Sequence, residues 1–169
     1  MKVDILVDCE GTFARVGEMF PAVPSPQEWW LPFTAVLIRS EAATLLVDTG
    51  VGPKPRAFVP EPEARLLVRG EEEVAPGVHV FPTPGHTPGH MSVQAGSLIV
   101  LGDVLVHELQ AVDPEIVYVS DHDPDFAAAT PRRLLGQLAD EGTDVIVSHF
   151  HGLGRFEHTG KGFRWLAVE

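Results

Sequence analysis

This 169-residue sequence is short of sulfur, positive charge and long apolar runs, and each shortage excludes something. Cys9 is the single cysteine, so no intramolecular disulfide can brace the fold. The N-terminal run Met1 to Asp8 carries acids among its apolar residues, which reads as a strand rather than a signal peptide. Together these two observations predict a cytoplasmic protein. Lysine and arginine number 12 against 24 aspartates and glutamates, a formal net charge of -12. A phosphate backbone rewards clustered basic side chains, so nucleic acid is not the expected partner. The acidic balance keeps a surface soluble and is also compatible with cation binding. No stretch approaches the roughly 18 to 20 consecutive apolar residues of a membrane span, so no membrane partner is expected. No internal repeat of fixed period is visible.

What is present is ordinary for a globular chain: 44% hydrophobic and 21% charged residues. The length suits one domain over residues 1–169. Short strands dominate the pattern. Residues 2–9 alternate like a first strand, and Phe33 to Arg39 reads as a second, after a loop over 17–32 punctuated by Pro21, Pro24 and Pro26. That loop ends in Trp29-Trp30, a pair expected to pack beneath it, with pocket lining as the alternative. Thr44 to Gly50 is an apolar strand ending on Asp48, which either presents an acid or caps the turn. Pro53, Pro55, Pro60 and Pro62 then crowd a surface connection. One segment is helical, Pro124 to Asp140, with Asp123 as N-cap and Gly142 as stop; Pro131 should kink or split it.

The most distinctive stretch is Thr83-Pro84-Gly85-His86-Thr87-Pro88-Gly89-His90. Two prolines and two glycines in eight residues forbid both a helix and a regular ladder. It follows the strand-like run Val78 to Phe81 and precedes Met91 to Ala95, so it is a loop at a strand end carrying two imidazoles. Two further apolar strands end in a side chain of the same kind. Leu98 to Leu101 leads to Gly102-Asp103, and Asp144 to Ser148 leads to His149. Imidazole and carboxylate suit zinc, and also iron or manganese. His86, Asp103 and His149 are therefore candidate metal ligands if their strand ends share one rim of a sheet. His79, His107, His122 and His158 lack that placement and are expected at the surface or in packing.

Four motifs, LLVDTG at 45–50, TPGHTPGH at 83–90, LGD at 101–103 and SHFH at 148–151, resemble in order and rough spacing those of the metallo-β-lactamase-fold hydrolases. The resemblance covers almost the whole chain. It implies an α/β fold, an αββα four-layer sandwich with a metal site along one edge. It also implies that His86 binds one zinc, Asp103 bridges two, and His149 binds the second. Asp48 matches a strand-end acid that supports a metal-binding histidine, and His90 matches a supporting position.

The sequence also departs from that family. Its members carry a His-x-His-x-Asp-His segment between the LLVDTG strand and the histidine loop, and none is present here. The fold is expected to be truncated between the third strand and the histidine loop, with an apparent deletion near 58–66. Three of the seven usual ligand positions remain, which suits one zinc better than two. The expected activity is water attack on an ester, thioester or lactone-type carbonyl of a small molecule, with Asp103 as catalytic residue orienting the water. The alternative is a non-catalytic binding or interaction protein derived from that fold, with a homodimer as its signature.

Overall fold

A computed structural model describes residues 1–48, 68 and 70–168. The apparent deletion near 58–66 lies outside the described residues. In chain order the elements are β1 (Lys2–Arg15), α1 (Val16–Met19), β2 (Glu28–Arg39), β3 (Thr44–Val47), β4 (Glu72–Ala75), β5 (Val78–Pro82), β6 (Met91–Ala95) and β7 (Leu98–Gly102). They continue with α2 (Leu109–Val112), α3 (Pro124–Glu141), β8 (Asp144–Val147), β9 (Gly154–His158) and β10 (Phe163–Ala167).

These strands form two sheets. One is three-stranded in the order β1-β2-β3, the other seven-stranded in the order β10-β9-β8-β7-β6-β5-β4. Alternation along each strand decides what lies between the sheets. Val36 and Ile38 of β2 meet Val78, Val93, Val100 and Ile146 of the larger sheet in one buried cluster. The opposite side chains of the larger sheet, Leu101, Val145 and Val147, pack under Leu134, Leu135 and Leu138 of α3. The run Val145-Ile146-Val147 is buried on both faces, which is why it reads as continuously apolar rather than alternating.

Strand directions place the site. β5 and β7 each pair antiparallel with β6, and β7 pairs parallel with β8 through the α3 crossover, so β5, β7 and β8 run the same way. Their C-terminal ends therefore lie along one rim. The smaller sheet is stitched to that rim by Thr34, whose N–H (3.3 Å) and Oγ1 (2.7 Å) both donate to the Ser148 carbonyl.

Several local expectations change. Trp29 and Trp30 lie in β2 and not in a loop, and alternation separates them: Trp29 is 5% exposed and Trp30 56%. β1 runs on to Arg15, beyond the 2–9 read from alternation. Pro131 neither splits α3 nor ends it; the helix is continuous from Pro124 to Glu141. Packing of Pro131, Leu134 and Leu135 against the sheet outweighs the hydrogen bond proline cannot donate. Asp123 caps this helix by accepting from the Phe126 N–H, and Gly142 closes it in the left-handed conformation.

A third cluster gathers Val16, Phe20, Trp29, Leu31 and Val106 beneath the rim. His107 packs against Phe20 and Trp29, with ring centroids at 5.4 and 5.6 Å, and its Nδ1 accepts from the Leu109 N–H at 3.1 Å. Burial pushes its pKa down, so the fold favours the neutral ring. Its stabilising contribution is complete above the unfolded pKa of about 6.5 and is lost as pH falls through the folded value. His107→Asn keeps an acceptor for Leu109 and does not titrate. Urea midpoints measured between pH 7 and 5 should therefore fall less steeply for this variant than for the wild type.

Candidate functional site

Loop 83–90 is held down from two sides. The Thr83 N–H donates to the His90 carbonyl at 2.9 Å, closing the loop on itself. On the helix side, Thr130 Oγ1 donates to the Pro84 carbonyl (2.7 Å), the Asp123 N–H to that of Gly85 (3.1 Å) and the His122 N–H to that of His86 (3.1 Å).

Each imidazole at the rim has one nitrogen committed. His86 Nδ1 lies 3.0 Å from Asp121 Oδ1, and the second oxygen of Asp121 accepts from the Tyr118 N–H at 3.0 Å. The Asp121 side chain is only 3% exposed, and both of its oxygens meet a donor. With Nδ1–H donating to the carboxylate, His86 Nε2 carries the lone pair. His149 Nδ1 donates to the Pro32 carbonyl at 2.9 Å, which leaves its Nε2 lone pair free in turn. These tautomers follow from the hydrogen-bond partners. Phe33 stands edge-on to His149 and Tyr118 lies stacked beside His86, with centroids 5.0 and 5.9 Å away.

The two free lone pairs converge on one carboxylate. His86 Nε2 is 3.6 Å from Asp103 Oδ2, and His149 Nε2 is 3.4 Å from Asp103 Oδ1. Asp103 Oδ1 is buried and accepts no hydrogen bond. Two acceptor nitrogens facing an acceptor carboxylate form a donor set that suits a cation, either a proton or a metal ion. The His86 pKa responds accordingly. The hydrogen bond to Asp121 raises it, burial works against the rise, and the charges of Asp103 and Asp121 add to it.

His90 differs from both. Its Nε2 accepts from the Asp103 N–H at 2.9 Å, and its Nδ1 lies 3.0 Å from the Thr83 carbonyl and 2.8 Å from Thr83 Oγ1. Thr83 Oγ1 reaches Ser92 Oγ at 2.9 Å, which donates to the Leu101 carbonyl at 3.0 Å. Both nitrogens are therefore used within the protein, and burial holds the ring neutral by pushing its pKa down. The close approach to Asp103 depends on Gly102. Its φ is +66°, and a Cβ there would stand 2.8 Å from His90 Nε2.

Asp48, at the end of β3 with φ 61°, places Oδ2 3.4 Å from Ser148 Oγ, next to His149 in the chain. Aspartate tolerates this left-handed conformation better than most residues. Among the described residues no group of three or more His, Cys, Asp or Glu side chains stands in positions that could hold a metal ion as they are placed; His86 and His149 approach different oxygens of Asp103.

Sequence reasoning missed Asp121. It ends no strand, and only the folded chain brings this residue, 35 positions beyond His86, back to it. Asp121→Asn keeps an acceptor for Nδ1–H but removes the charge. The His86 pKa, followed by NMR titration, should drop, because the hydrogen bond to the Asp121 carboxylate is the main cause of its rise.

No family model matches the chain. Over 88 residues it is 30% identical to the N-acyl homoserine lactonase of Bacillus thuringiensis, a match covering 49% of this chain and 34% of that protein. The chain thus spans about a third of the length of the curated relatives it matches. Among solved structures it is similar to AidC, a dizinc quorum-quenching lactonase in complex with a product, N-hexnoyl-L-homoserine, at a TM-score of 0.84 and 15% identity. That similarity covers 99% of this chain and 94% of that one. A probable metal-dependent hydrolase from Staphylococcus aureus gives a TM-score of 0.74 at 12% identity, covering 99% and 97%. The hydrolase AbOPH of the beta lactamase superfamily gives 0.53 at 28% identity, covering 57% and 36%. The chain has the metallo-β-lactamase fold in a form with two β-sheets and few helices among the described residues, and its structural neighbours are hydrolases.

Proposed function

We propose that the chain is a metal-dependent hydrolase that directs water onto the carbonyl of an ester, thioester or lactone, with His86, Asp103 and His149 as the residues that would hold the metal. One observation carries this reading: the carboxylate of Asp103, whose buried Oδ1 accepts no hydrogen bond, set between two imidazoles whose Nε2 lone pairs face it, His149 toward Oδ1 and His86 toward Oδ2. The similarity to N-acyl homoserine lactonases makes a small lactone the first substrate class to try. Zinc suits the donor set best, one ion rather than two for three ligands, with iron or manganese as alternatives. A zinc ion there supplies a Lewis acid and lowers the pKa of its water to about 7.

The protein's own groups supply the positioning. Asp121 and the Pro32 carbonyl fix the ring planes of His86 and His149 by holding Nδ1–H, so that both Nε2 atoms aim inward. His90 grips the Asp103 backbone, and the Thr83-Ser92 chain anchors His90 in turn. Asp103 Oδ1 is the free acceptor, able to orient the attacking water and take its hydrogen bond. Asp48 steadies the His149 strand end through Ser148.

The test begins with exhaustively dialysed protein. Adding zinc should restore about one ion per chain, raise the melting temperature and switch on hydrolysis in a panel of lactones and esters. At 100-fold over Kd, binding to the native state alone is worth about 2.7 kcal/mol. For a chain of this length that corresponds to roughly 5 to 10 °C. Less than about 0.1 metal per chain with no thermal shift would sink the proposal.

A second reading, a non-catalytic protein that pairs with its own copy, is favoured by the outer face of the smaller sheet. Leu6 and Leu46 are 44% and 53% exposed there, beside Lys2, Asp4 and Arg39, which carry both signs of charge. A dimer by sedimentation, together with failure of the zinc test, would favour it.

A further inference from the structure

A cleft of about 100 Å3 opens beside His149, walled by Trp29, Trp30, Glu108, Phe150 and His151. It has about the space of three water molecules, which suits one arm of a ligand and not a whole substrate. Trp29 and Phe150 are core residues that form its floor, whereas Trp30 presents most of its indole to solvent. Among the described residues the Glu108 carboxylate makes no hydrogen bond or ion pair. Neither lysine nor arginine lines the walls. An anionic arm would meet an uncompensated carboxylate in a chain of net charge -12. The combination of an exposed aromatic face with an uncommitted carboxylate is the chemistry that recognises an organic cation.

The larger hollow at the other end of the sheet, about 390 Å3, offers no such group. Both of its acids are engaged: Asp144 pairs with Arg155 at 2.6 Å, and Glu141 accepts from Gln137 Nε2 at 3.1 Å and Thr143 Oγ1 at 3.4 Å.

We propose that the Trp30-Glu108 cleft is a subsite for a small cationic group, an alkylammonium or guanidinium, so that the substrate is an ester or lactone bearing such an arm. This rests on the reading of His86, Asp103 and His149 as the reaction centre only in linking the arm to a carbonyl; binding of the cation itself does not need the reaction. Trp30 would face the cation and Glu108 would neutralise it, while His149 on the same wall sets its distance from Asp103.

The probe is tetramethylammonium chloride titrated into the full chain at constant ionic strength, against the neutral tert-butanol of similar shape. Binding is read from broadening of the ligand's own methyl NMR signal, which serves the wild type and every variant alike. Saturable binding on the order of 1 mM is expected for the cation, at least about tenfold tighter than for the alcohol. Glu108→Gln, which keeps shape at an exposed position, and Trp30→Ala should each weaken it by about tenfold. Equal binding of the alcohol, an unchanged Glu108→Gln variant, or no saturation would overturn the subsite. The same titration on zinc-free protein separates this proposal from the catalytic one. Cation binding without hydrolysis of any ester leaves the subsite and removes the reaction. Hydrolysis without cation binding does the reverse.

Discussion

Asp103→Asn should lower hydrolysis by about 10^2- to 10^4-fold, the range for loss of a group that manages the proton of an attacking water. It should also abolish the zinc-dependent rise in melting temperature. The stronger part of the expectation concerns the metal-free protein. Asp103 Oδ1 is buried without a donor, and the Nε2 atoms of His86 and His149 point at the same carboxylate. An asparagine amide can donate to one of those nitrogens, so it relieves an unsatisfied cluster instead of creating one. At alkaline pH the zinc-free variant should therefore unfold no earlier than the wild type. In acid the order should invert. The folded pKa of His86 is raised, first by Asp121 and also by Asp103. The stability this brings is complete below the unfolded pKa of about 6.5 and is lost as pH rises through the folded value. Removing the Asp103 charge cuts that share. Hydrolysis rates, metal content and calorimetric melting at two pH values check the three parts separately. A variant that melts early at every pH would show Asp103 to be a structural residue only.

Gly85→Ala should cost about 3 kcal/mol, from a backbone conformation closed to side chains together with a clash in a packed contact. Gly85 has φ +145°, and a Cβ there would stand 2.6 Å from both N and Cα of Ala127. Those atoms belong to the first turn of α3, which cannot yield as a side-chain tip would. The expected fall in melting temperature is roughly 6 to 12 °C for a chain of this size. Zinc affinity should fall as well, since the next residue is His86 and its carbonyl is bonded to the His122 N–H. Gly89→Ala is the control in the same loop. A Cβ there meets nothing within 4 Å, so its effect should stay within about 0.5 kcal/mol. Similar losses for both variants in thermal melts would show that the loop's tolerance, and not the contact with α3, sets the cost.

His86, Asp103 and His149 could be picked out from the chain because their signals are local. An apolar run that alternates or branches and then stops, at Pro82, Gly102 or Ser148, marks a strand end, and a residue shortly past it is presented at a rim. Asp123 and Gly142 bound α3 by equally local capping chemistry. The division of Trp29 from Trp30 was not local. Both read as loop aromatics until β2 pairs with β1 and alternation sends them to opposite faces. The continuity of α3 through Pro131 likewise depends on the sheet beneath it.

By itself the sequence determined the motif order and the strand ends that carry imidazole and carboxylate. Tertiary structure alone decided which nitrogen of each imidazole is free. His86 is oriented by Asp121, 35 residues away, and His149 by the Pro32 carbonyl, 117 residues away. A hydrogen-bond partner at such separation leaves no periodicity or spacing in the chain, because the sheet packing that joins the two is paid for by apolar burial elsewhere.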